Sequence, residues 1–124
     1  MNSDILIKNA GIITPAGKWE QGWLLARMGK IELLGQGNPP DLDDVETIGA
    51  GGLTLLPGFI DVHVHGWGGY STMDANPEAL QTMANSYVRH GVTSFLASTW
   101  TESREKIMPV LEVVKEIQGS QPDG

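Results

Sequence analysis

One run of β-formers between glycine signals constrains this chain more than any other stretch: Leu56-Pro57-Gly58-Phe59-Ile60-Asp61-Val62-His63-Val64-His65-Gly66. Side chains on a strand alternate with a period of two. Ile60, Val62 and Val64 therefore line one face, and Phe59, Asp61, His63 and His65 the other. An aliphatic face backed by Asp and His suggests a strand covered on both sides, and such strands belong to parallel sheets flanked by helices. Covered polar groups need partners. Two neutral imidazoles side by side on a rigid strand can converge on one divalent metal ion, which supplies such a partner. The plainer alternative is a half-exposed strand on which polar residues alternate with valines.

The pattern after this strand keeps to the same architecture. Gly66-Trp67-Gly68-Gly69-Tyr70 reads as a glycine-rich loop. Asn76 is a helix N-cap, with Pro77 at the first helical position and Glu78 in the first turn. Leu80, Met83, Ala84, Tyr87 and Val88 then recur with helical spacing, and Gly91 stops the helix. Val92 to Thr99 reads as a second buried strand. A further helix carries Ile107, Leu111, Val114 and Ile117, and Pro109 either starts it near Met108 or kinks it. Strand, helix, strand, helix implies right-handed βαβ crossovers and a parallel sheet. Two parallel strands cannot close a stable sheet alone, since edges and faces stay open.

Residues 1–56 have a different texture. Short strands are expected at Ile5–Lys8, Gly11–Thr14, Trp19–Ala26, Ile31–Leu34, Val45–Ile48 and Leu53–Leu56, with a hairpin turn at Met28-Gly29. Turn signals about every ten residues suggest a small β-sandwich or meander. The fold class is therefore α/β, with a small β domain over 1–56 and a βα-repeating part over 57–124.

Charge and composition exclude several partners. The 124 residues carry 15 acidic and 8 basic side chains, a net charge of −7. Nucleic acid needs a basic surface, and an anionic membrane needs a basic cluster. Neither is expected as a partner. The chain has no cysteine, so disulfides and thiolate metal sites are ruled out. No signal peptide or bilayer-length apolar run is readable, and a cytoplasmic location is the default.

Pro57 to His65 resembles the first barrel strand of the amidohydrolase superfamily, and the β-rich start resembles the small domain that precedes the barrel in many members. The Gly66–Gly69 loop, the Met73-Asp74-Ala75 step, His90 to Leu96 and Ser98-Thr99-Trp100-Thr101 are similar to the N-acetylglucosamine-6-phosphate deacetylase subgroup. Trp67 and Ala97 depart from it, standing where glycine and proline are more usual. The resemblance implies a (β/α)8 barrel, which needs ~250 residues, so 57–124 would be its first two βα units and the barrel incomplete.

The resemblance also implies the chemistry. His63 and His65 would be metal ligands, and Asp61 either a partner orienting a histidine or simply a buried, hydrogen-bonded carboxylate. The ion would be divalent, zinc first, with iron or nickel as alternatives. The substrate would be a small amino-sugar phosphate, hydrolysed to glucosamine 6-phosphate and acetate. The remaining ligands (a Glu on the third strand, two later His, an Asp that acts as general base) are expected beyond Gly124, and the chain alone is expected to be nearly inactive. Another cyclic amidase or deaminase of the superfamily is the alternative enzyme. A non-catalytic module that forms a homo-oligomer through its open edges is the alternative of another class. His90 is expected to be structural at a helix end, Met83 and Tyr87 to be core, and Glu102, Glu105 and Glu112 to be a solvated helix face. The Gly66–Tyr70 loop is open to two readings, a substrate-approaching backbone or a plain turn.

Overall fold

The computed structural model describes residues 4–118, which divide at Pro57/Gly58 into two compact units. In the first, β1 (Ile5–Thr14), β2 (Gly17–Arg27), β3 (Lys30–Gln36), β4 (Glu46–Gly49) and β5 (Thr54–Leu55) join one five-stranded sheet. β1 to β3 form an antiparallel meander, with order β3-β2-β1-β4. β4 and β5 both return to the free side of β1 and pair with it in parallel. Of the sandwich or meander expected, β1 to β3 form the meander, and the five strands make a single mixed sheet.

β1 is continuous where the sequence suggests two strands. Asn9 takes φ 62°, and the register with β2 shifts between Lys8 and Ala10 and again before Ile12. The Asn-Ala-Gly punctuation makes a bulge rather than a break, since Asn tolerates the left-handed region that a bulge uses. The β2–β3 hairpin turns at Met28 (φ 51°) and Gly29 (φ 72°), as expected. Two positive φ angles give the turn whose twist matches the strands. Leu6 faces Leu25 across the ladder and both are buried. Ala10, Ile12 and Ala50 form a second cluster, flanked by Ile7, Trp19 and Leu55.

The second unit contains β6 (Phe59–Val64), the short hairpin β7 (Gly66–Trp67) and β8 (Tyr70–Ser71), α1 (Pro77–Val88), β9 (Val92–Ala97) and α2 (Arg104–Ile117). β6 and β9 pair in parallel with α1 between them, the βαβ order expected from sequence. Asn76 caps α1 by accepting from the Glu78 amide at 2.9 Å. A 3-10 turn over Thr72–Asp74 precedes it, closed by a reciprocal cap between Ser71 and Asp74. Leu80, Met83 and Tyr87 of α1 form the core, packed on Val64, Val92, Phe95 and Ala97 of the sheet and on Val113, Val114 and Ile117 of α2. Met83 and Tyr87 are thus core residues, as read.

α2 begins at Arg104 and carries Pro109 inside it, so of the two expectations the start near Met108 does not hold. Pro109 lacks the amide that would bond the Glu105 carbonyl. Glu105 is exposed, so water can satisfy that carbonyl. The sheet face opposite the helices is open: Ile60, Val62 and Leu96 are among its exposed apolar side chains.

Candidate metal centre

The site lies at the carboxyl end of β6, where α/β folds place their ligands. β6 and β9 are laced together there by the Ser98 amide, which donates to the Val64 carbonyl at 2.8 Å. Their register explains which side chains reach the site. Asp61 pairs with Phe95 and Val64 with Ala97, so β6 spends three residues where β9 spends two. This extra residue breaks the period of two. Asp61 and Val64 both fall on the helix side, level with Phe95 and Ala97, while His63 and His65 point to the open face.

The two imidazoles meet on that face. Their Nε2 atoms are 3.1 Å apart, with ring centroids 4.9 Å apart and planes at 76°. Two nitrogens each ~2.0–2.1 Å from one tetrahedral ion would be ~3.3 Å apart, so the donor pair fits a shared divalent ion. His65 is held at three points. Its Nδ1 bonds the Ser98 carbonyl at 3.1 Å, and its own carbonyl accepts from the Thr72 amide at 2.8 Å and the Ser71 hydroxyl at 3.2 Å. A carbonyl can only accept, so the neutral His65 ring carries its proton on Nδ1 and turns a bare Nε2 to the site. Among the described residues no group of three or more His, Cys, Asp or Glu side chains is gathered to hold a metal ion.

Asp61 makes its contact with the main chain. Its Oδ1 accepts from the His63 backbone amide at 3.1 Å. It therefore fixes the main chain at His63 and leaves the imidazole unbonded to it. The reason is the bulge, which turns Asp61 away from the ring face. Burial pushes the Tyr87 phenol above its usual value, and the charge of Asp61 pushes it the same way.

The glycine-rich loop closes into the hairpin β7–β8, with Gly68 at φ 64° and Gly69 at φ 88°. It is pinned to α1. Trp67 Nε1 donates to Ser86 Oγ at 2.7 Å, and the indole lies edge-on to His90 at 5.7 Å and tilted to Tyr87 at 6.1 Å. His90 Nδ1 bonds the Ser86 carbonyl at 2.8 Å, at the end of the helix. Glu102 pairs with Lys106 at 2.9 Å, and that hydrogen bond holds its carboxyl below the usual range.

Sequence reasoning overlooked Ser98 and Ser71 as supports of His65. Ser98 acts through its backbone carbonyl, which any residue could supply, so composition carries no signal for it. Ser71 was readable only as the cap partner of Asp74, three residues on.

Comparison with known proteins gives the family. The amidohydrolase family model matches residues 54–121, and the chain belongs to that family. As a family, amidohydrolases are generally metal-dependent. The chain is 36% identical over 99 residues to the N-acetylglucosamine-6-phosphate deacetylase of Lysinibacillus sphaericus, covering 80% of this chain and 25% of that protein. It is 34% identical over 116 residues to the enzyme of the same name from Bacillus subtilis, covering 94% of this chain and 29% of that protein. Among solved structures it is similar to N-acetyl-D-glucosamine-6-phosphate deacetylase of Mycobacterium smegmatis, in complex with N-acetyl-D-glucosamine-6-phosphate. That match has a TM-score of 0.82 and 25% identity, over 98% of this chain and 32% of the other. The chain therefore spans about a quarter to a third of the length of these relatives. Among the described residues no helix is long and apolar enough to cross a membrane.

Proposed function

We propose that this chain supplies two ligands of the metal centre of an N-acetylglucosamine-6-phosphate deacetylase, with His63 and His65 holding a divalent ion, zinc foremost. The observation that carries the reading is the convergence of two Nε2 atoms at 3.1 Å, one of them on a ring locked by Ser98. The likeness to the deacetylases supports the substrate class, an N-acetylated amino-sugar phosphate. His63 and His65 would hold the divalent ion, which when bound would supply a Lewis acid for the acetamide carbonyl and an acidified water. The chain's own residues prepare the donors. Ser98 keeps the His65 proton on Nδ1, and the Asp61 carboxylate holds the main chain from which the His63 ring projects. Both rings must offer a lone pair, so binding is favoured where both imidazoles are neutral.

Catalytic zinc ordinarily takes three protein ligands and keeps one open position. His63 and His65 are two. The chain by itself is therefore expected to bind metal weakly and to turn over little or no substrate. Residues 57–124 are read as the opening βα units of the family's barrel, and 1–56 as part of its small β domain.

Zinc titration followed by the three histidine ring signals in NMR tests the assignment. His63 and His65 should respond together while His90 stays fixed, and His63→Ala should abolish the response of His65. A response shared equally by His90, or none at the pair, refutes it. Rapid deacetylation by the pure chain would refute the two-ligand argument.

A further inference from the structure

We infer that Trp100 is a ligand-contacting residue of this site, presenting its indole to the apolar C–H face of a hexose ring, an inference that rests on the deacetylase reading above. Trp100 follows β9 and lies at its carboxyl end, on the same segment as the Ser98 carbonyl that locks His65. Its ring centroid is 6.1 Å from that of His65, tilted by 53°. It is also 47% exposed.

The other tryptophans show why this is unusual. Trp19 packs against the cluster of Ala10, Ile12 and Ala50. Trp23 lies so close on Gly35 that a Cβ there would collide with its ring. Trp67, as exposed as Trp100, spends its N–H on Ser86 and its ring on Tyr87 and His90. For Trp100, no hydrogen bond of the indole N–H is found among the described residues, and its ring neighbour is a candidate metal ligand. A large flat apolar surface left half in water beside a polar centre stabilises nothing by itself. Covered by a ligand, it would. A pyranose ring matches it, with C–H groups across one face for the indole plane and hydroxyls at the rim for the indole N–H.

Saturation-transfer NMR on the 124-residue chain, with zinc and N-acetyl-D-glucosamine 6-phosphate, tests this and detects weak binding. The hexose ring protons should receive saturation, and the Trp100 indole N–H signal should move, assigned by its loss in Trp100→Phe. Trp100→Phe should keep most of the transfer, and Trp100→Ala should lose about fivefold or more. The joint zinc response of His63 and His65 should survive both substitutions, so loss of the metal reading and loss of this one are separately visible. Equal transfer in Trp100→Ala, an unmoved Trp100 signal, or no transfer from the unaltered chain would each overturn the inference.

Discussion

Gly66→Ala is expected to damage the fold and the candidate site together, because the position joins them. A Cβ built on Gly66 falls against the Tyr70 backbone carbonyl, with the Ser71 Cα at 3.1 Å. Both obstacles are main chain, so no rotamer change relieves them. The hairpin pairs Gly66 with Ser71 and Trp67 with Tyr70, and must open. Opening moves Ser71 and Thr72, which donate the two hydrogen bonds into the His65 carbonyl. At roughly 1 kcal/mol for each hydrogen bond and about 1–3 kcal/mol for overpacking, the loss should be about 3–5 kcal/mol. Gly68→Ala is the matched control. Gly68 sits at φ 64° with open space where a Cβ would go, so only the left-handed penalty of about 1–2 kcal/mol applies. Urea unfolding of both variants gives the comparison through the midpoint at constant slope. In Gly66→Ala the His65 ring should also lose its joint zinc response with His63. Equal midpoints for the two variants, or an intact joint response in Gly66→Ala, would refute the reasoning.

Two further outcomes are expected. Met83 is fully buried between the sheet and α2, and Met83→Ala should cost about 2–5 kcal/mol in urea unfolding; a loss below 1 kcal/mol would mean that the core collapses around the gap. The Tyr87 phenol is raised above 10.0 in the folded chain. Above that pH the unfolded state gives up the proton first, so stability should fall as pH rises from there through the folded value. Melting curves taken upward from about pH 9 should show this fall, and Tyr87→Phe should flatten it; an unchanged slope in the variant would assign the alkaline loss to other groups.

Elements with local punctuation were legible in the sequence. Asn76 and Pro77 mark the start of α1, the Met28-Gly29 hairpin forms as read, and the helical spacing of Leu80, Met83 and Tyr87 finds the core. Features set by pairing were not. The Asn9 bulge hides in a turn-like triplet, and nothing local says that β4 and β5 return parallel to β1. At residue 109 proline left open a helix start near Met108 or a kink; the helix starts at Arg104 with the proline inside it, and apolar packing of Val110, Val113 and Val114 holds the turns that follow. At the candidate site, alternation put His63 and His65 together but carried Asp61 with them. The error is one residue of register, visible only against β9. The locking of His65 by Ser98 depends on a carbonyl and on the parallel pairing, and neither is a property of residue type.

That one residue of register sets how this strand tolerates change. Between Asp61 and Val64 the chain reverses the sense of its alternation, so an acid and a valine flank two positions of opposite facing. Exchanging Val62 for another aliphatic would keep this phase, and deleting Val62 would leave Asp61 and Val64 two steps apart, both still on the helix side with His63 facing out between them. Deleting Val64 instead would put the His65 imidazole into the layer occupied by Leu80, Met83 and Tyr87. Along this stretch the strand has one residue to spare at Val62 and none at Val64, and a deletion at the first should be survived more readily than one at the second.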